Sequence, residues 1–159
     1  MIVLTNRVRF YVPSTHDVNG VIDTEEFETR WHDVLYDLSE NFGGATAFDG
    51  VGGYISDTAG FIQENVKIVE AFVSDDRFED AQRMLGQWAM LYCTEWGQET
   101  IAYEVNNKLV IVGPGMDVPE SPVIEPVKTT EIVDIAGAKV EVDKNPDIVN
   151  IGGILIEVD

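Results

Sequence analysis

The chain has 159 residues, enough for one domain with a single core and some room for an appendage. Its 29 acidic residues against 10 basic ones give a net charge of −19, which argues against direct binding of nucleic acid or docking on anionic lipid, since both need clustered Lys and Arg. Apolar residues make up 45% of the chain, with no run of about 18 to span a bilayer, and Asn6, Arg7 and Arg9 interrupt the first apolar stretch too early for a signal peptide. The expected setting is therefore cytoplasmic. Two uses remain for the acidity: a strongly solvated surface, or a surface that imitates DNA. A single cysteine, Cys93, excludes an internal disulfide.

In chain order, Ile2 to Val12 predicts a strand, with Val8, Phe10 and Val12 alternating against Arg7, Arg9 and Tyr11. Residues 13–20 form a turn-rich loop. Asp23 or Thr24 then caps a helix with Glu25, Glu26 and Glu28 in its first turn. Its apolar stripe is Phe27, Trp31, Val34, Leu35, Leu38 and Phe42, and Gly43-Gly44 ends it. Ala45 to Tyr54 is a weaker strand, interrupted by Gly50, Gly52 and Gly53. Asn65 to Val73 is a firmer one. Glu70, charged among its apolar neighbours, reads either as a guard on a sheet edge or as an interface residue.

Ser74 opens a second helix, which fills residues 77–96 with a buried stripe of Phe78, Ala81, Leu85, Trp88, Ala89 and Tyr92, and Gly97 stops it. Thr100 to Val105, Asn106-Asn107 and Lys108 to Val112 read as strand, tight turn and strand. The organisation expected is a domain over residues 1–113, a proline-rich linker over 114–128, and a small β extension over 129–159. That extension comprises a hairpin about Ala136-Gly137 and one more strand from Ile151 to Val158, and packs on the core or on a neighbouring subunit. The order β-α-β-β-α-β predicts an α+β, ferredoxin-like fold: an antiparallel sheet with two helices on one face. The other face is left bare, and oligomerisation is the usual way to cover it.

Few residues carry chemistry of their own. The run Asp49-Gly50-Val51-Gly52-Gly53-Tyr54 lets a ligand approach the backbone, or is simply a bulge or turn; it lacks the spacing and Lys of a phosphate loop. Glu64, at a strand's mouth near Tyr54, either holds a cation or is solvated. Glu95, at a helix C-terminus, is on the unfavourable side of the dipole and calls for a partner, unless it is solvated beside a core Trp96. Cys93 reads as a small buried residue, and His16 and His32 are isolated, without metal-ligand spacing. No G-x-S-x-G and no triad context appears, so neither a metal, a cofactor nor a protein nucleophile is expected.

Three pieces taken together resemble the bacteriophage S-adenosylmethionine lyases: Gly52-Gly53-Tyr54, then Glu64-Asn65-Val66-Lys67-Ile68-Val69, then Cys93-Thr94-Glu95-Trp96-Gly97-Gln98-Glu99. The resemblance spans about residues 45–105. It implies a homotrimer of ferredoxin-like subunits, shaped like the PII signalling proteins, with S-adenosylmethionine bound between subunits. The reaction it implies splits that substrate into methylthioadenosine and homoserine lactone, the substrate's own carboxylate being the nucleophile, and starves methyl-dependent restriction in an infected cell. On this chain the resemblance makes Glu64 the anchor of the cationic end and Tyr54 its orienting group, as catalytic residues, with Gly52, Gly53, Glu95 and Gln98 binding substrate. Two other readings stand beside it: a non-catalytic PII-like small-molecule binder, and an acidic inhibitor that mimics DNA toward a host defence protein.

Overall fold

The computed structural model describes residues 1–16, 20–117 and Ile124, together with the backbone of the strands beyond residue 129. Two compact units result, Met1–Pro126 and Val127–Asp159. The first contains the strand β1 (Asn6–Pro13), a two-residue ladder of β2 (Thr15–His16) with β3 (Gly20–Val21), the helix α1 (Thr24–Phe42), and the long strands β4 (Ala45–Ser56) and β5 (Gly60–Val73). The helix α2 (Phe78–Glu95) and the strands β6 (Ile101–Val105) and β7 (Lys108–Val112) complete it. Sheet order is β4-β5-β1-β6-β7, antiparallel throughout, so the mixed α+β architecture with two helices is as expected.

Alternation along β1 divides the sheet. Val8, Phe10 and Val12 are fully buried and pack with Val34 and Leu38 of α1 and with Ala81, Leu85 and Ala89 of α2. The periodicity of both helices in sequence is the periodicity of their burial. Asp23 caps α1 by accepting a hydrogen bond from the Glu26 N–H at 2.8 Å, and Gly43, at φ 85°, ends it. A three-residue 3₁₀ turn, Asp75–Arg77, leads into α2. The C-terminus of α2 is a Schellman motif: Gly97 at φ 60° lets its own N–H reach the Thr94 carbonyl and the Gln98 N–H reach that of Cys93. Asn106 and Asn107, both at positive φ, make the tight β6–β7 turn.

Several sequence expectations change. The first strand begins at Asn6, and Met1 to Val3 are exposed outside it. The glycines do not interrupt β4: it pairs with β5 without a break from Ala45↔Ala71 to Ser56↔Gly60, and Glu64 lies within β5 and not at its mouth. Large side chains cross-strand supply the packing that the glycines lack, Ile68 and Val66 beside Gly50 and Phe61 beside Gly53. The turn falls at residues 57–59, and Gly60 takes the left-handed conformation at φ 75°. Glu70 guards no edge, because β5 is paired on both sides.

The proline-rich stretch falls mostly outside the described residues. Ile124 within it is buried, its N–H and carbonyl both paired with the side-chain amide of Gln82 on α2. In the second unit β8 (Thr130–Ile135) pairs with β9 (Ala138–Asp143), and β10 (Ile148–Ile151) with β11 (Ile154–Glu157). The strand expected from Ile151 to Val158 corresponds to β11, and β10 precedes it; Gly152-Gly153 lie outside the described residues.

Candidate functional site

The sheet face that carries no helix has a polar centre and a cavity at one end. At the centre Arg9 Nε donates to Glu70 at 2.6 Å, Arg7 pairs with Glu104 at 3.1 Å, and the Tyr11 hydroxyl donates to the same Glu104 at 3.0 Å. Around this group Phe48, Phe72, Leu109 and Ile111 are exposed. Toward the β4–β5 hairpin the register aligns Pro13 with Val66 and Gly50, and Glu64 with Gly52, while Tyr54 sits diagonally one pair further along. Here lies a cavity of about 440 Å³, whose lining includes Tyr11, Gly52, Gly53, Tyr54, Glu64, Val66, Ile68, Gln98, Thr100 and Ile111.

Missing side chains shape it. A Cβ on Gly50 would lie 3.0 Å from Ile68 Cδ1, and one on Gly52 would lie 3.3 Å from Val66 Cγ1. Glycine at alternate positions of β4 therefore leaves a trough with an apolar floor of Val66 and Ile68.

Glu64 is the carboxylate of this cavity. Burial raises its pKa above the usual carboxylate value, and a 2.5 Å hydrogen bond from the Thr15 hydroxyl opposes that shift. Burial also raises the Tyr54 phenol, assisted by the negative charges of Glu64 and Glu99. The site thus sets a half-buried carboxyl group near a phenol that keeps its proton at neutral pH, and when ionised the carboxyl offers a cation a counter-charge to go with the phenol's π face.

Of the residues singled out in sequence, Tyr54, Glu64, Gly52, Gly53 and Gln98 line this one cavity. Gln98 is buried, and its amide N–H groups go to the carbonyls of Thr15 at 2.6 Å and Trp96 at 3.2 Å. Glu95 is not brought to it: it borders a separate cleft of about 410 Å³ with Asp23, Glu26, Asp33, Tyr92 and Trp96. The left-handed turn at Gly97 is the reason, because it reverses the chain between Glu95 and Gln98. Sequence reasoning missed Tyr11, Thr100 and Thr15. Tyr11 carried a signal, as an aromatic among the outward residues of β1; Thr15, in a featureless loop, carried none. Cys93 is buried as expected, and burial raises its thiol pKa.

Among the described residues no three His, Cys, Asp or Glu side chains converge as a metal site, and no helix is long and apolar enough to cross a membrane. No protein-family profile and no curated protein matches the sequence. Two solved structures resemble the chain. A phage SAM lyase in its apo state matches with a TM-score of 0.50 at 13% identity, over 72% of this chain and 93% of that one. A phage SAM lyase in complex with S-methyl-5'-thioadenosine matches with a TM-score of 0.48 at 15% identity, over 68% and 88% respectively. The resemblance first seen in three short sequence pieces is thus met by a likeness of fold to the apo structure.

Proposed function

We propose that the protein is an S-adenosylmethionine lyase whose site is the Glu64–Tyr54 cavity. The observation that carries this reading is the convergence of Gly52, Gly53, Tyr54 and Glu64 on one trough, floored by apolar residues. The fold shared with a phage SAM lyase agrees with it. S-adenosylmethionine offers an ammonium, a sulfonium and a flat adenine, and the trough offers a carboxylate, a phenol ring and an apolar floor. Glu64 anchors the cationic end and Tyr54 orients it. The bare strand at Gly52 and Gly53 gives the substrate room against the backbone.

Cleavage then needs no protein nucleophile. The substrate carboxylate attacks its own γ-carbon, a C–O bond forms as the C–S bond breaks, and the sulfonium leaves as the neutral thioether of methylthioadenosine. Homoserine lactone is the other product. An anion and a cation annihilate along this path, so a site that excludes water favours the transition state over the hydrated ground state. Holding the folded conformer supplies the rest of the acceleration.

The subunit is ferredoxin-like in this reading, and its bare sheet face assembles a homotrimer. In a chain of net charge −19, the Arg7, Arg9, Glu70 and Glu104 group is locally balanced and ringed by exposed apolar side chains. That is a place where like-charged copies can meet. The cavity lies on the same face, which suits sites between subunits. The biological role is removal of the methyl donor from restriction systems. Tyr54 and Glu64 lining a cavity favours this reading over an acidic DNA mimic, which requires no cavity at all.

Incubation of the purified protein with S-adenosylmethionine, with products read by mass spectrometry, tests the proposal. Methylthioadenosine and homoserine lactone are expected, and both fall away in Glu64→Gln. Calorimetric binding without product would make the protein an inert binder instead; neither binding nor product would sink the site assignment.

A further inference from the structure

Thr15 joins three otherwise separate parts of the main unit. Its hydroxyl donates to Glu64 Oε2 at 2.5 Å, from a side chain only 6% exposed. Its carbonyl accepts from two buried side chains, Arg30 Nη1 at 2.9 Å and Gln98 Nε2 at 2.6 Å. Arg30 comes from α1, where Glu26 holds its other terminal nitrogen at 2.6 Å and the Trp96 ring lies 5.1 Å beneath the guanidinium. Gln98 comes from the turn after α2. Next to Thr15 the Ser14 N–H is bound to the Asn65 carbonyl, and Thr15 itself pairs with Val21. A residue of the short strand β2 is therefore held from α1, from the turn after α2 and from β5.

Such fixing has a chemical consequence. A buried carboxylate without a donor drifts toward its protonated form or swings to water, whereas a hydrogen bond from a fixed hydroxyl favours the anion and holds it in one orientation. The donor here cannot follow a wandering carboxylate, because two buried donors pin its own peptide.

We propose that Thr15 is the positioning residue of this site, its hydroxyl fixing the Glu64 carboxylate toward the cavity while Arg30 and Gln98 fix Thr15. The inference rests on the Glu64 cavity being the substrate site, and it gives Gln98 a positioning role in place of direct substrate contact. Among the described residues, the titratable groups that line the cavity with Glu64 are Tyr54 on β4 and Tyr11 on β1, both with pKa values raised above the ordinary phenol. Glu99 adds its charge at Tyr54. Against burial, it is the Thr15 hydrogen bond that favours the charged form of Glu64.

The test uses the full chain and three forms: wild type, Thr15→Val and Thr15→Ser. Valine keeps the shape and the clamped carbonyl and loses only the hydroxyl. In Thr15→Val the Glu64 carboxyl, followed by carbon-detected NMR, titrates at higher pH than in wild type, and the acid limb of kcat/KM moves with it. KM for S-adenosylmethionine rises about tenfold near pH 6, the loss expected for one hydrogen bond to a charged group, with kcat changed less. Thr15→Ser restores both. An unchanged Glu64 midpoint in a folded Thr15→Val protein overturns the inference. Should that variant not fold, the wild type decides alone: the Thr15 methyl resonance must titrate with the Glu64 midpoint, and a methyl that does not overturns it equally. These NMR arms need no turnover, so failure of the lyase reading in the product assay stays distinct from failure of the Thr15 role.

Discussion

The two faces of the sheet come from the same strands and could hardly differ more. On one, Val8, Phe10 and Val12 disappear beneath two helices; on the other, one residue away each time, Arg7, Arg9 and Tyr11 join a network with Glu70 and Glu104. Stability is concentrated on the covered face, where the sheet and both helices bury a largely apolar core. The open face carries charge, exposed aromatics and the glycine trough, features that a folding domain has no need of. Strand alternation thus lets neighbouring residues serve separate ends, and it lets mutations test them separately.

The largest effect belongs to the covered face. Phe10→Ala should lose about 3–5 kcal/mol of unfolding free energy, the usual loss for a fully buried phenylalanine, read from urea or thermal denaturation. A smaller loss, below about 1 kcal/mol, would mean that the core lies elsewhere. Glu64→Gln on the open face should do the reverse: turnover of S-adenosylmethionine drops on the order of a hundredfold, as when one partner of a buried charge contact is removed, while the fold survives. Equal losses of stability in the two variants would break the division between the faces.

Much of that division was legible in sequence, for physical reasons. Both helices announced themselves by a 3.6-residue stripe and by their end signals, Asp23 and Gly97 among them, since burial and capping are local. The β4–β5 hairpin was only half legible. Glycine lowers strand propensity by itself, so Gly50, Gly52 and Gly53 read as a break, and only the facing Ile68, Val66 and Phe61 explain why the strand continues. The diagonal placement of Tyr54 against Glu64 depended on the turn between them, a short-range matter. Thr15 and Glu64 are 49 residues apart and meet through the β1–β5 register, which no local pattern encodes. Glu95 and Gln98 looked alike in sequence and separated only because Gly97 turns the chain.

A second comparison lies within the open face, between its balanced centre and its cavity. Phe72, 44% exposed beside the Arg9–Glu70 pair, belongs to the centre. Phe72→Glu should leave a monomeric mass in light scattering where the wild type gives that of the proposed homotrimer, because it sets a charge in an apolar ring. A trimer unaffected by it would move assembly off this face. Gly52→Val belongs to the cavity, and its side chain crowds Val66 where a Cβ alone is already at 3.3 Å. It should weaken substrate binding several-fold, and the stability change should stay within about 1 kcal/mol, since the lost glycine flexibility offsets part of the crowding.

The smallest effect concerns Glu64 and stability alone. Its folded pKa is raised by burial, so between the unfolded value and that raised value the folded chain binds more protons than the unfolded one. Stability contributed by this group is therefore greatest below the unfolded pKa and is lost as pH rises through the folded one. Glu64→Gln removes that loss. Relative to wild type, the variant should gain stability as pH is raised from about 4 to 7. The Thr15 hydrogen bond limits the gain, because it already offsets part of the burial in the wild type. A thermal melt of both proteins at the two pH values reads the sign directly. A wild type that outgains the variant over that range would mean that Glu64 is a stabilising anion, and the open face would then share the work of holding the fold.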